Sequence, residues 1–187
     1  MGPVALTPIQ HWFFNLGLEA PHHWNMSLLL EARTSLDAAL LERALAHLLG
    51  HHDALRLGFA SGEDGWHQAI CEPGARVTVA RVDLSAVPEV ERPSALSRHA
   101  EAAQRALRLE GPLVQAVLLE WGAGHSTRLM LAVHHLVVDA VSWRILLEDR
   151  RRRTRGSRRG TPWCCLRRRR RSRRGPVAWR RWRARRR

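Results

Sequence analysis

The 187-residue sequence contains no tyrosine and no lysine, so all 31 of its basic residues are arginines. Cysteine is scarce: Cys71 stands alone, and Cys164 and Cys165 are adjacent. These positions form neither a CxxC pair nor a Cys/His spacing typical of zinc sites, and they give no disulfide framework. We therefore expect no bound metal, and the cysteine usage favours a reducing, cytoplasmic setting.

Long apolar segments are also absent. No run of 18 apolar residues occurs, and the first residues lack the basic and apolar regions of a secretory signal. We therefore expect no secretion signal, no membrane span and no membrane partner.

Acidic residues are missing from the last part of the chain. Residues 1–149 hold 11 arginines and all 17 acidic residues, a net charge of −6, whereas residues 150–187 hold the other 20 arginines. Segments of like charge repel themselves and bury little apolar surface. We predict one domain over residues 1–149, followed by a disordered arginine-rich tail over residues 150–187.

Two hypotheses account for this tail. The composition changes abruptly after Asp149, inside a helical pattern, as it would if a GC-rich gene were translated in the wrong frame; a frameshift after codon 149 is our leading hypothesis. The alternative is an arm that binds nucleic acid or another anionic surface. An accidental tail should bind anionic polymers only nonspecifically and weakly at physiological salt, whereas a functional arm should prefer a target.

Periodicity predicts alternating strands and helices over residues 1–149. An apolar strand at 24–33 precedes a helix with Ser35 as N-cap and Gly50 as its stop. Further segments are strands at 55–60, 66–71 and 77–84, a helix over 91–109, strands at 113–121 and 127–136, and a helix near Val141. The order βαβββαββα predicts a two-layer α/β sandwich built around one sheet.

The segment HHLVVDAVSW (residues 134–143) carries the polar groups best suited to chemistry. His134 and His135 end a predicted strand, so their side chains point to opposite faces and cannot jointly bind a metal. One imidazole acting as a general base is the sharper interpretation. By spacing alone, a histidine with a purely structural role is equally compatible, with Asp139 or Ser142 capping the following helix.

The same segment resembles the HHxxxDGxS motif of the condensation superfamily of non-ribosomal peptide synthetases, whose fold is like chloramphenicol acetyltransferase. LTPIQHWFF (6–14) and HHDALRLGF (51–59) resemble the first and second motifs of that superfamily. Together the three motifs cover residues 1–149, as in the N-terminal half of such a domain. The residues of the first and third motifs resemble those of the epimerization branch more than those of domains that form peptide bonds.

The resemblance implies a role for each matching residue. His135 would be the catalytic acid/base, facing the tunnel entered by a phosphopantetheine arm, and His134 would be structural. Asp139 would form a structural salt bridge with Arg56, and Ser142 belongs to the same motif. If that salt bridge is buried, breaking it would cost about 3–5 kcal/mol.

The resemblance also implies the substrate and the partner. Epimerizing members move the α-proton of an aminoacyl or peptidyl thioester tethered to a peptidyl carrier domain. The phosphopantetheine belongs to that carrier, so no cofactor is expected to bind the chain directly. Ala140 stands where the family motif has glycine, which matters only if the residue needs positive φ or a close approach.

Condensation and epimerization domains are about twice as long as residues 1–149 and place their cleft between two similar halves. The later motifs of the superfamily, including one with a catalytic Glu and one forming a floor loop, find no match in this sequence. We therefore expect the C-terminal half to be missing or supplied by a partner, and no epimerase activity from the chain alone. The alternatives are a fragment of a peptide-bond-forming condensation domain and a non-catalytic domain that docks a carrier and tolerates His135→Ala.

Overall fold

The computed structural model describes residues 2–32, 36–72, 78–122, 124–152 and 166–168. Its helices are α1 (Pro8–Asn15), α2 (Ala38–His51), α3 (Arg92–Arg105) and α4 (Ala140–Arg152). Short 3-10 turns span Pro21–His23 and Asp53–Arg56. The strands are β1 (Pro3–Val4), β2 (Asn25–Ala32), β3 (Leu57–Gly62), β4 (Gly65–Ile70), β5 (Val79–Asp83), β6 (Val114–Glu120), β7 (Arg128–His134) and β8 (Leu166–Arg168).

The main sheet has the strand order β5-β6-β7-β2-β8. Only the β5–β6 pair is parallel; the other neighbours are antiparallel. β6 and β7 are buried along nearly their whole length, which explains why their sequences are continuous apolar runs without alternation. The mixed α/β class predicted from the sequence is therefore confirmed.

Helices cover both faces of this sheet. Alternate residues of β2, β6 and β7, such as Leu118 and Leu131, pack against α2 leucines including Leu41 and Leu45. Residues of the opposite face, including Leu119, pack with alanines of α3. The predicted packing of helices on a sheet is therefore confirmed, but β6 and β7 are covered on both faces and not on the one face that a two-layer sandwich implies, because both faces of these strands are apolar.

The β3–β4 hairpin forms a sheet of its own with β1, in the order β1-β4-β3. The expectation of one sheet is wrong for these strands. Gly62 pairs with Gly65 across a two-residue turn, and Gly65 has φ of +117°, a conformation that favours glycine. The hairpin is joined to the core through Phe59, whose ring is buried and whose N–H donates to Leu109 O at 2.8 Å.

Helix α1 was not predicted by periodicity, although its start carries a clear signal. Pro8 occupies the first turn, and the Gln10 side chain accepts a hydrogen bond from the Thr7 N–H at 2.8 Å. The Gln10 amide is buried and donates to Gln68 Oε1 at 3.0 Å, which ties α1 to β4. Eight residues contain too few turns for a periodic pattern to stand out.

The ends of the two long predicted helices differ from expectation. Asp37 caps α2, because its carboxylate accepts from the Leu40 N–H at 2.8 Å; Ser35 lies outside the described residues. The helix passes through Gly50 and ends at His51. α3 ends at Arg105, and the apolar spacing that suggested a helix to Leu109 belongs to residues buried in the following connection.

The arginine-rich region has regular structure at two places. α4 continues to Arg152, so the domain boundary predicted after residue 149 falls inside a helix. β8 pairs with β2, with Leu166 opposite Ala32, and so covers a sheet edge whose backbone groups would otherwise lack ladder partners. The disorder predicted for the rest of the tail concerns residues outside the described ranges. No helix within those ranges is long and apolar enough to cross a membrane.

Candidate active site

The histidine pair lies where β7 ends and the chain turns toward α4. His134 is the last residue of β7, His135 follows it, and α4 begins at Ala140. The 3-10 turn Pro21–His23 precedes β2, the neighbour of β7, and so lies at the same end of the sheet. Two regions distant in sequence, residues 21–24 and 134–140, therefore meet around the two imidazoles.

His134 is fully buried, with 0% of its surface exposed. Its Nε2–H donates to Pro21 O at 2.9 Å, and its Nδ1 accepts from the Leu136 N–H at 3.2 Å. The imidazole and the Phe13 ring are perpendicular, with centroids 5.7 Å apart. Burial, together with the smaller effect of the neighbouring imidazoles of His22 and His135, lowers the pKa of His134 to about 4. A neutral ring with both nitrogens engaged has no proton-transfer position to offer.

His135 has the opposite environment. Its side chain is exposed, and its backbone N–H donates to Trp24 O at 2.8 Å. Its Nδ1 lies 2.9 Å from Val138 O. Because a carbonyl oxygen can only accept, Nδ1 carries a hydrogen, and in the neutral ring Nε2 is therefore the nitrogen with the lone pair. The two histidines thus point to opposite faces, as strand geometry predicts.

Asp139 and Ser142 cap α4. The Asp139 carboxylate is exposed, and its Oδ1 accepts from both the Ser142 hydroxyl and the Ser142 N–H, each at 2.6 Å. Donation from the Ser142 hydroxyl, and then from its N–H, holds the pKa of Asp139 below the usual range, with a smaller effect of the His135 imidazole. Among the alternatives left open by the sequence, the helix cap is the one this geometry matches.

Arg56 has a different carboxylate partner from the one that the resemblance implies. Its guanidinium is buried, and Nη2 donates to Asp53 at 2.7 Å. Nη1 donates to the carbonyls of Leu49, at 2.6 Å, and Gly50, at the end of α2, where a cation is favoured. The salt bridge expected with Asp139 is therefore corrected to one with Asp53, which lies in the same 3-10 turn as Arg56.

Ala140 fits its position without strain. No non-glycine residue in the described part of the chain has positive φ, so the glycine of the family motif is not required here by backbone conformation. No group of three His, Cys, Asp or Glu side chains in those ranges could hold a metal ion.

Sequence analysis assigned no functional role to Trp24 or to the histidines before it. The structure instead brings Trp24 against His135, and the His22 Nδ1 accepts from the Leu109 N–H at 3.1 Å. The signal was available in the apolar segments at 24–33 and 127–136. Pairing them as antiparallel neighbours brings Trp24 to the end of the sheet that carries His135, but the register that sets the two residues opposite each other is known only from the structure.

Comparisons with known proteins agree with this architecture. The Condensation domain family matches residues 2–157. Over 150 residues the chain is 49% identical to one of the proteins that make up the linear gramicidin synthase of Brevibacillus parabrevis, covering 79% of this chain and 2% of that protein. It is 40% identical over 152 residues to surfactin synthase subunit 1 of Bacillus subtilis (strain 168), covering 79% of this chain and 4% of that protein.

Two solved structures show the same fold. The epimerization domain from the third module of tyrocidine synthetase B is 32% identical with a TM-score of 0.74, covering 86% of this chain and 36% of that one. The first condensation domain of the calcium-dependent antibiotic synthetase is 26% identical with a TM-score of 0.65, covering 79% of this chain and 36% of that one.

The chain thus spans about a third of these solved domains and a few per cent of the curated relatives. Its fold is the chloramphenicol acetyltransferase-like fold of condensation domains, represented by their N-terminal part. The family match extends over most of the chain, and the relatives belong to peptide synthetases. This protein belongs to the condensation-domain family of non-ribosomal peptide synthesis.

Proposed function

We propose that this chain carries the acid/base histidine of an epimerization domain, acting on an aminoacyl or peptidyl thioester held by a peptidyl carrier domain. The observation that carries the proposal is the state of His135. The ring is exposed, its Nδ1–H is held by Val138 O, and its Nε2 keeps a lone pair. A general base needs an accessible nitrogen with a lone pair, and the neutral ring of His135 offers one at Nε2.

The thioester makes its α-proton acidic enough for an imidazole to remove. His135 Nε2 takes this proton, the electron pair of the C–H bond passes into the enolate of the thioester, and the ring becomes an imidazolium. The Nδ1–H bond to Val138 O persists and becomes charge-assisted, which stabilises the cation. Protonation of the other face of the α-carbon, by an acid from the part of the domain that this chain does not span, gives the inverted residue, and the imidazolium then releases its proton to solvent.

Epimerization is favoured over peptide-bond formation by the degree of similarity. The tyrocidine epimerization domain is the more similar of the two structures described above, in both identity and TM-score. In a condensation domain the same Nε2 would instead accept a proton from, or orient, the amine that attacks the thioester. This second candidate retains support because the family match and the second structure are condensation domains.

The test supplies the part of the domain that the chain does not span. Residues 1–152 are fused to the remainder of the tyrocidine epimerization domain and given a carrier loaded with an L-aminoacyl thioester in D₂O. We expect one deuterium to enter at the α-carbon and a mixture of L- and D-residues to form, as measured by mass spectrometry and chiral chromatography. A condensation domain would incorporate no deuterium but would form an amide with an added acceptor.

His135→Ala should lower the exchange rate about 10²–10⁴-fold. The matched control is His125→Ala, which removes an exposed histidine from the connection before β7, at the other end of the strand. Unchanged exchange in His135→Ala would contradict the proposal. Carrier binding without any effect of His135→Ala would favour the non-catalytic docking alternative, and turnover by the unfused chain would contradict the need for a second half.

A further inference from the structure

We propose that Trp24 is a positioning residue for His135: its indole holds the imidazole in the orientation and tautomer that present Nε2 to the substrate. The inference rests on the proposed acid/base function of His135. It concerns a residue that does not itself exchange protons, since the only polar group of indole is its Nε1–H, which is a hydrogen-bond donor and not an acceptor.

The backbone places the two side chains next to each other. Asn25 of β2 is opposite His134 of β7, and the hydrogen bond from the His135 N–H to Trp24 O extends this pairing by one residue. Directly opposite residues of an antiparallel pair have their side chains on the same face, about 4.5–5.5 Å apart at Cβ. Trp24 is therefore the cross-strand neighbour of the proposed base.

The rings make the contact that this register predicts. The indole and imidazole centroids are 6.3 Å apart, and the ring planes are inclined by 29°, an offset stacked arrangement. The indole is itself held on another side by Phe13, with centroids 5.9 Å apart and an edge-on inclination of 63°. Phe13 is buried, so the indole rests against a core residue.

The segment that carries Trp24 is fixed by hydrogen bonds of its own. Pro21 O accepts from both His134 Nε2–H and the Trp24 N–H, the latter at 3.2 Å. His23 O accepts from the Asn25 side-chain amide at 2.7 Å. The indole therefore extends from a backbone that His134 also stabilises, which links the buried histidine to the placement of its exposed neighbour.

Two constraints together define where Nε2 points. The Nδ1–H bond to Val138 O fixes one edge of the imidazole, and the indole fixes the plane of the ring. Without the indole, the exposed ring can turn over about χ2, which replaces Nδ1 by Cδ2 beside Val138 O and breaks the hydrogen bond that selects the tautomer. The neutral ring could then carry its hydrogen on either nitrogen, and Nε2 would be displaced from the position at which it meets the α-proton.

The experiment is a measurement of the imidazole nitrogens of the whole 187-residue chain by ¹⁵N–¹H NMR. It is carried out at pH 9, above the range in which imidazoles ordinarily titrate. In the unchanged protein we expect His135 to be the Nδ1–H tautomer. In Trp24→Leu we expect that tautomer to lose its dominance and the ratio of the two forms to change several-fold. Trp24→Phe keeps a flat ring and should keep the tautomer.

The matched control is Trp12→Leu, which removes a tryptophan that is 51% exposed on α1 and should leave the His135 signals unchanged. Folding is monitored through His134, whose buried ring should keep its Nε2–H tautomer in every folded variant. If Trp24→Leu does not fold, Trp24→Met takes its place, because methionine fills volume without a flat face. Equal tautomer ratios in the Phe variant and in the Leu or Met variant would overturn the inference.

Activity distinguishes this inference from the proposed function. In the fused domain, Trp24→Leu should lower kcat for deuterium exchange at least tenfold with little change in KM, and Trp24→Phe should restore most of it. If His135→Ala leaves exchange intact, the acid/base function fails, whatever the NMR result shows. If His135→Ala abolishes exchange but Trp24→Leu changes neither the tautomer nor kcat, only the positioning role of Trp24 fails.

Discussion

The two sides of the end of β7 carry the same kind of side chain in opposite states. On the inner side, His134 has both nitrogens bound by backbone groups and its hydrogen on Nε2. On the outer side, His135 carries a hydrogen on Nδ1, so that in the neutral ring Nε2 is the nitrogen with the lone pair. Strand alternation separates the two residues, and the carbonyl that each ring meets selects its tautomer. The comparison shows that burial and hydrogen bonding, more than residue type, decide which histidine can do chemistry.

The largest effect on stability is expected from His134→Ala. The change removes a fully buried side chain and leaves Pro21 O and the Leu136 N–H without their present partner. We expect the free energy of unfolding to fall by about 3–5 kcal/mol, from the cavity and the lost hydrogen bonds together. Urea denaturation followed by circular dichroism measures it. A loss below about 1 kcal/mol would mean that the inner histidine is not the structural member of the pair.

Low pH should destabilise the fold through protonation of His134. An unfolded histidine binds a proton near its ordinary pKa of 6.5, whereas His134 in the fold does so only near pH 4. The unfolded state therefore binds more protons between these values, and stability is lost as the pH falls from 6.5 toward 4. The full loss is about 3 kcal/mol.

Denaturation midpoints between pH 7 and 4 measure this dependence. His134→Gln should weaken it, because glutamine does not titrate. The aspartates with displaced pKa values, including Asp139, have theirs below 3.8 and so act outside this window. An unchanged pH dependence in His134→Gln would assign the acid sensitivity to other groups.

Asp139→Ala should have a smaller effect and decides between a helix cap and a buried ion pair. As a cap, the carboxylate accepts two hydrogen bonds from Ser142, and its loss should lower the Tm by about 2–4 °C. If Asp139 instead formed a buried salt bridge with Arg56, its removal would lower the stability several times more. The variant would then lose solubility before it lost catalytic activity. Asp139→Asn, which retains an acceptor, should recover part of the loss. Differential scanning calorimetry measures all three proteins.

The smallest effect on stability should come from His135→Ala, although its effect on catalysis is the largest. The side chain is exposed, and substitutions at such positions are usually within about 0.5 kcal/mol. A urea titration beside that of His134→Ala measures the contrast directly. If the two variants lose comparable stability, the division of roles between the histidines is contradicted.

The sequence predicts the fold class because its strands and helices are long enough for periodicity to act. β6, β7 and α2 are found close to their expected places, since each buries a continuous face. α1 is too short for this signal, and its capping residues were the available clue. The separate sheet of the β3–β4 hairpin depends on packing through Phe59, which local patterns do not encode.

For the candidate site too, the local sequence predicts some features, and others depend on contacts between distant parts of the chain. The opposite orientations of His134 and His135 follow from strand geometry alone. The partners of Asp139 and Arg56 do not follow from strand geometry, because each charged group forms a hydrogen bond with a residue three positions away in the chain. Trp24 is separated from His135 by most of the described chain, so its contribution depends on knowing which strands pair.

The position of β2 in the main sheet has a consequence for the order of folding. Asn25, at the start of β2, pairs with His134, so the centre of the sheet joins the two ends of the described domain. Such pairing cannot begin during synthesis until β7 has left the ribosome, and contacts this distant in sequence close slowly. Until then β2, with its consecutive leucines, stays without its sheet partner and is open to association with other chains. The strand that brings Trp24 to the site is therefore also the one that most needs protection while the protein is being made.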